Sequence, residues 1–200
     1  MNTGGPIFAK TLKRAGLYVF IYSEYPSLIR GGHNVQQVAV SKEPVSGPYW
    51  NLNQLVALNT NAIVWHQDEL KSGGVVLYDP DIVRFSNQEE RVLDTSRIPL
   101  LTGVYSVARA KKETKLRADI NFIPIQFKKI AEEIGGNKIM LNVAAVGAAF
   151  AVFCKKSENT SGVDILSVGK KVIEEIFERK GKELVDANQR VLDAGYQAVR

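Results

Sequence analysis

The sequence predicts an α/β domain built on a mostly parallel sheet. Strand-like runs alternate with helical patterns along most of the chain, the order that makes parallel βαβ units. Two of the runs, 17–23 (LYVFIYS) and 75–78 (VVLY), are apolar with little alternation, as expected of strands covered on both faces. Two hundred residues with 45% hydrophobic content suffice for one core, so a single domain over 1–200 is expected. No repeat or low-complexity tract interrupts it.

Residues 4–15 read as a helix. Pro6 is tolerated in a first turn, Ile7, Phe8 and Leu12 make the apolar face, and Gly16 stops it. The strand at 17–23 follows, then the connection Glu24-Tyr25-Pro26-Ser27-Leu28-Ile29-Arg30-Gly31-Gly32-His33-Asn34, then a strand at 35–41 in which Val38 and Val40 share a face. A loop at 43–49 carries two prolines and a glycine. Residues 51–59 are expected as a short helix or turn carrying Leu52, Leu55, Val56 and Leu58, and 60–70 as a helix with Ile63 and Val64 inward. Ser72-Gly73-Gly74 breaks the chain before the buried strand at 75–78, which ends at Asp79-Pro80. Only short strands are expected over 82–107.

A strand at 121–125 leads into a helix whose Phe127, Ile130, Ala131 and Ile134 recur at i, i+3, i+4 and i+7, closed by Gly135-Gly136. An apolar helix over 138–153 follows, with Gly147 giving room for close packing. After a polar stretch at 155–162, expected to be mobile, come two amphipathic helices. One covers 165–179, with Val168, Val172, Ile173, Ile176 and Phe177 inward. The other covers 182–199, with Leu184, Ala187, Val191, Ala194 and Ala198 inward.

Composition narrows the function. One cysteine, Cys154, excludes an intramolecular disulfide, and also an Fe–S cluster held by this chain alone, since a cluster takes about four thiolates. A reducing compartment and a buried, inert thiol are expected. No basic n-region and apolar h-region open the chain. The longest apolar run, 139–154, is interrupted by Asn142 and falls short of the roughly 20 residues of a membrane span, so it reads as a buried helix. The expectation is a cytoplasmic protein with no membrane partner.

The net charge is +5, with Arg109, Lys111, Lys112, Lys115 and Arg117 crowded together. Nucleic acid, an acidic partner, a phosphate-bearing substrate or a solvated loop would each suit such a cluster. Without a recognition motif beside it, a solvated face is preferred and no nucleic acid is expected.

A self-sufficient active site is not legible. His33 and His66 lie on different elements, and neither has a second ligand at metal spacing; His66 reads as a surface or core-edge residue. There is no Gly-x-Ser-x-Gly elbow, no P-loop, and no third glycine to make Gly31-Gly32 a dinucleotide fingerprint. Asp79 is the only acid just past the 75–78 strand, the usual functional edge of such a sheet, but Asp-Pro is also a common turn starter, and that reading is preferred. What remains is the 24–34 connection. Pro26 presets φ, Gly31-Gly32 lets a backbone or ligand approach closely, and Arg30 and His33 flank the glycines. A binding loop and a tight turn whose Arg30 caps carbonyls fit these residue types equally.

Residues 23–34, SEYPSLIRGGHN, resemble the signature of the gamma domain of 2-oxoacid:acceptor (ferredoxin) oxidoreductases, closest to the 2-oxoglutarate type. The resemblance extends to Thr3-Gly4, to Phe8-Ala9-Lys10-x-Leu12-x-x-Ala15-Gly16, to Val56-Ala57-Leu58-Asn59 and to Leu70-x-x-Gly73-Gly74-Val75-Val76. It resumes in Asn142-x-x-x-x-Gly147 and in Asn188-x-x-x-x-x-x-Gly195-Tyr196, with 85–119 the least matched part.

The resemblance implies a Rossmann-like three-layer domain and an accessory (gamma) subunit. The oxidative decarboxylation of a 2-oxoacid to an acyl-CoA would be carried by alpha and beta partner subunits. Thiamine diphosphate, Fe–S clusters and coenzyme A belong to that implied complex, which passes electrons to ferredoxin; none of them is expected on this chain alone. The binding or interface candidates are Tyr25, Ser27, Arg30, Gly31, Gly32, His33 and Asn34, with no catalytic residue and no metal ligand. Arg30 could clamp a carboxylate or phosphate as a planar five-donor fork, with Ser27, His33 and Asn34 completing the hydrogen bonds.

In one respect the sequence departs from the family pattern. The family's first strand and glycine turn, which precede the helix that starts here near Thr3-Gly4, are not matched, so a pyrophosphate site made by that turn is not expected. The 17–23 edge is then expected to be open to another chain. The rival expectation is a stand-alone Rossmann-like ligand-binding or regulatory domain without catalytic partners.

Overall fold

The computed structural model describes residues 3–25, 34–87, 91–95, 113–156 and 163–199. Along them run α1 (Gly4–Arg14), β1 (Tyr18–Glu24), β2 (Val35–Ser41), β3 (Leu52–Ala57), α2 (Thr60–His66), β4 (Leu70–Tyr78), β5 (Phe85–Asn87), β6 (Val92–Asp94), β7 (Glu113–Lys115) and β8 (Asn121–Pro124). The helices α3 (Phe127–Glu133), α4 (Leu141–Lys156), α5 (Ile165–Phe177) and α6 (Lys182–Gln197) complete them. The chain gathers into two compact units. One comprises Met1–Glu24, Val35–Tyr49 and Phe127–Arg200, and the other Tyr25–Asn34 and Trp50–Gln126.

The first unit is built on α4. Its sequence, LNVAAVGAAFAVFCKK, is apolar on every side, and Val143, Ala144, Ala145, Val146, Ala148, Ala149, Phe150, Ala151 and Val152 are all buried. By length and composition Lys138–Lys155 could cross a membrane, which corrects the expectation that this run is too short. Within the protein 61% of that window is buried, as in a core helix. Of the stretch 155–162, expected to be polar and mobile, Lys155 and Lys156 instead end α4, and 157–162 lie outside the described residues.

Helix α6 crosses α4 at backbone contact. A Cβ on Gly147 would stand 2.1 Å from the Leu192 carbonyl oxygen and 2.8 Å from the Tyr196 amide nitrogen. A Cβ on Gly195 would stand 2.0 Å from the Ala144 carbonyl oxygen. The buried side of α6 is set by that crossing, with Val185, Ala187, Asn188, Val191, Leu192 and Gly195 inside. This corrects the expected face: Leu184 and Ala194 are only half-buried and Ala198 is exposed. The buried Asn188 amide donates to the Leu184 carbonyl, 2.7 Å, so it brings no orphaned group into the contact.

Helix α1 joins this core through Phe8, whose ring stacks on Phe150 with centroids 5.1 Å apart and meets Phe153 edge-on at 6.1 Å. At its other end Lys10 (2.9 Å) and Arg14 both pair with Glu175 of α5. Asp164 caps α5 by accepting from the Leu166 and Ser167 amides at 3.1 and 3.2 Å. Helix α3 ends at Glu133, and Ile134, expected inward, is 39% exposed.

Strands β1 and β2 form an antiparallel ribbon, Tyr18 opposite Ser41 through Glu24 opposite Val35. The expectation that LYVFIYS is covered on both faces is corrected here, because Tyr18, Ile21 and Tyr22 are exposed. Leu17 is buried and Val19 and Phe20 are half-buried, so the run is covered only in part.

The second unit holds the parallel sheet, ordered β3-β4-β8. Central β4 buries Val75, Val76 and Leu77 in succession, so both of its faces are covered, as expected of a parallel strand. Residues 52–57, expected as helix or turn, are the strand β3. Leu52, Leu55 and Val56 make a short apolar run that periodicity alone cannot assign, and pairing with β4 (Gln54 opposite Val75, Ala57 opposite Tyr78) decides it.

The strand β4 also begins earlier than expected, at Leu70. Between the pairs Leu52–Leu70 and Gln54–Val75 it bulges, with Gly73 at φ +72° and its amide bonded to the Asp119 carbonyl at 2.8 Å. Helix α2 stops at His66, and its N-cap Asn59 accepts from the Ala62 amide at 2.9 Å. Ala62, Ile63, Val64 and Trp65 pack with Ala57, Val76, Val83, Leu93, Leu116 and Ile120. Leu93 belongs to, and Leu116 adjoins, the small antiparallel sheet β5-β6-β7, whose strand β7 the sequence pattern did not show, while Ile120 directly precedes β8.

Two outcomes test this packing. In an open helix Gly→Ala stabilises by up to about 1 kcal/mol. At the α4–α6 crossing Gly147→Ala and Gly195→Ala should each destabilise, by about 3 kcal/mol, since a backbone clash cannot be relieved by a rotamer. Urea midpoints should show it, with the double variant costing less than the sum because one separation of the helices accommodates both methyls.

The other outcome concerns acid. The hydrogen bonds from Arg14 and then Lys10 lower the Glu175 carboxyl from 4.5 to about 2. Its stabilisation should be complete above pH 4.5 and lost as pH falls toward 2. Glu175→Gln should flatten that part of the stability–pH curve, and 1 M salt should shrink the difference, because the pair is exposed.

Candidate functional site

The candidate loop sits at the end of the β1–β2 ribbon. Seven register pairs bring the two strands to Glu24 opposite Val35, and Tyr25 and Asn34 continue the chain directly beyond that pair. Both are exposed. Ser27, Arg30, Gly31, Gly32 and His33 lie outside the described residues. The loop is therefore a hairpin connection whose two ends emerge side by side, a phenol from one strand and a carboxamide from the other.

The base of that hairpin is held by polar contacts that the sequence did not announce. Ser23 and Gln36 are register partners, and Gln36 Nε2 donates to Ser23 Oγ at 3.3 Å. Gln36 Oε1 is buried without a hydrogen-bond partner and lies against Gly5 of α1, where a Cβ would stand 2.5 Å from it. Gly5 is thus the close-approach residue that lets the ribbon lie on α1. On the next residue Gln37 Nε2 donates to the Tyr49 carbonyl and ties the 42–49 segment to β2.

His66 and Asp79 have internal work. His66, read as a surface or core-edge residue, is buried, with Nδ1 2.9 Å from Glu69 Oε1. Asp79 is fully buried at the C-terminal end of β4, and its Oδ1 accepts from the Asp81 amide at 2.9 Å while the Ile82 and Val83 amides bond to its carbonyl. That is the Asp-Pro turn of the preferred reading.

Arg117 is not a solvated cation of the basic cluster. It forks onto Asp119 (3.0 and 2.6 Å), reaches the Gln67 and Leu70 carbonyls at 3.0 and 2.8 Å, and its amide donates to Gln67 Oε1. These bonds from Arg117 hold the Asp119 carboxyl below the usual carboxylate range. Arg109, Lys111 and Lys112 lie outside the described residues.

Near the sheet, Arg91 adopts φ +55° and places its guanidinium 4.9 Å from the centre of the Phe122 ring. Tyr78 packs edge-on against Phe85 and Phe122, and burial raises its hydroxyl pKa. This cluster is the rim of the unit's own core. Among the described residues no group of three or more His, Cys, Asp or Glu is placed to hold a metal.

Comparison with known proteins gives these features a context. The family model described as "Pyruvate ferredoxin/flavodoxin oxidoreductase" matches residues 1–198. The 2-oxoglutarate synthase subunit KorC of Methanothermobacter marburgensis is 33% identical over 90 residues, 42% of this chain and 48% of that subunit. The chain spans about half the length of the curated KorC subunits it matches.

Among solved structures, 2-oxoglutarate:ferredoxin oxidoreductase from Magnetococcus marinus, with 2-oxoglutarate, coenzyme A and succinyl-CoA bound, superposes with a TM-score of 0.70 at 22% identity. The match covers 98% of this chain and 28% of that one. The gamma subunit of keto/oxoacid ferredoxin oxidoreductase from Geobacter sulfurreducens gives 0.62 at 19% identity, covering 98% and 89%. At such identities these likenesses speak for the fold, three-layer α/β with a parallel sheet. With the family model spanning nearly every residue, the chain belongs to the pyruvate ferredoxin/flavodoxin oxidoreductase family.

Proposed function

We propose that this chain is the gamma subunit of a cytoplasmic 2-oxoacid:ferredoxin oxidoreductase, with 2-oxoglutarate as the first candidate substrate. In the complex, alpha and beta subunits decarboxylate the 2-oxoacid, pass the electrons to ferredoxin and release the acyl group as its coenzyme A thioester. The observation that carries the reading is the family match over residues 1–198. The relation to a 2-oxoglutarate synthase subunit, and the 2-oxoglutarate and coenzyme A bound to the Magnetococcus protein, support the choice of substrate.

The chemistry of this chain supports an accessory role. It offers one thiol, against about four for an Fe–S cluster. Thiamine diphosphate would supply carbanion stabilisation and the clusters one-electron transfer, and both are assigned to the partner subunits. What this chain contributes is the 24–34 hairpin connection. Arg30 would bind an anionic group, a carboxylate or a coenzyme A phosphate, as a bidentate fork, with Tyr25, Ser27, His33 and Asn34 around it and Gly31-Gly32 allowing close approach.

The isolated chain should be colourless and should not oxidise 2-oxoglutarate with coenzyme A. Co-expressed with its partners it should assemble into a complex that reduces ferredoxin. In that complex Arg30→Ala should lower kcat/KM by about tenfold to a hundredfold, the loss of one or two charge-assisted hydrogen bonds, and Arg30→Lys should recover part of it. Turnover by the isolated chain overturns the accessory role. An Arg30→Ala complex that matches the parent removes Arg30 from the site.

A further inference from the structure

Arg91 enters β6 from a left-handed backbone, φ +55°, and among the described residues it alone, glycines apart, has a positive φ. Glycine or asparagine would take that conformation at lower cost. Its carbonyl accepts from the Leu116 amide at 2.9 Å, and the next residue, Val92, pairs with Lys115 of β7. The side chain is half-buried and lies over Phe122, its guanidinium carbon 4.9 Å from the ring centre. Arg14 and Arg117 carry their guanidinium groups on Glu175 and Asp119. Among the described residues no carboxylate or carbonyl accepts from that of Arg91. A planar cation with one face on a ring keeps its N–H donors along its edges, and partial burial leaves those donors short of water.

Tyr78 stands at the same ring, edge-on to Phe122 at 6.5 Å and to Phe85 at 6.0 Å. Burial raises its hydroxyl pKa and the Arg91 charge lowers it, the first effect being the larger, so at neutral pH the phenol is protonated and can donate. Tyr78 ends β4, the middle strand of β3-β4-β8, and α/β sheets bind ligands at the carboxyl ends of their parallel strands. Tyr78, Phe85, Arg91 and Phe122 all belong to the second unit, and Phe85 and Arg91 fall in the stretch that least resembles the family signature.

We propose that Arg91 and Tyr78 bind a small molecule through an oxyanion, a carboxylate or a phosphate group, at the carboxyl end of β4. Arg91 meets two of its oxygens through parallel N–H donors, the Tyr78 hydroxyl adds a third bond, and the Phe122 ring fixes the plane of the guanidinium. This site stands or falls independently of the proposed function.

Titration calorimetry of the 200-residue chain with inorganic phosphate and, separately, with succinate tests this. One or both should bind saturably at millimolar concentration or below. Arg91→Gly suits the left-handed backbone, so its urea midpoint should stay near the parent's while affinity falls about tenfold or more. Arg91→Lys should recover part of the affinity, and Tyr78→Phe should lose about threefold or more of it. Arg91→Gln serves the same comparison if the glycine variant does not fold. Binding of phosphate alone or of succinate alone identifies the head group and upholds the site. No saturable binding of either overturns it, and so does binding that Arg91→Gly or Arg91→Gln leaves intact.

Discussion

The contact on which the first unit depends is backbone on backbone. Where α4 crosses α6, Gly147 faces the Leu192 carbonyl and Gly195 faces the Ala144 carbonyl, and neither position has room for a methyl group. Ala144 and Ala148, small residues beside Gly147, are fully buried. Close approach lets many weak dispersion contacts accumulate along two helices whose side chains are short. The remaining helices extend from this pair. Phe150 of α4 receives Phe8 of α1 and lies against Gly169 of α5, and Gly135 after α3 fits between Met140 and Val191. Family-like positions Gly147 and Gly195 are therefore packing positions, and Asn188 is buried with its amide bonded to the Leu184 carbonyl.

The second unit depends on one strand. Central β4 lies between β3 and β8 with both faces buried, and its early bulge at Gly73 is fixed by the Asp119 carbonyl. Arg117 and Asp119 then tie the following segment to the turn after α2. Charged groups that would draw attention as a site, His66, Asp79 and Arg117, are taken up by this framework.

The β1–β2 ribbon is covered unevenly. Strand β1 has the apolar composition of a buried strand, yet Tyr18, Ile21 and Tyr22 on it are exposed, whereas no side chain of β2 is. Composition reports what a strand could bury, and exposure depends on which elements come against it.

Local order was legible in the sequence. The five helices α1, α3, α4, α5 and α6, the α/β class, the close packing at Gly147 and the Tyr25–Asn34 connection between two strands all follow from periodicity and from glycine and proline placement, because helical bonds join residues four apart and turns are local. Tertiary structure decided what depends on distant partners. Leu52–Ala57 became a strand because β4 lay beside it, and Tyr18–Glu24 became an antiparallel edge because β2 returned along it. The inward face of α6 shifted to Asn188, Leu192 and Gly195 because α4 approached there, and His66, whose neighbours in sequence suggest a surface or core-edge place, is buried. A short apolar run contains no record of which strand or helix will come against it, and only the folded chain supplies that neighbour.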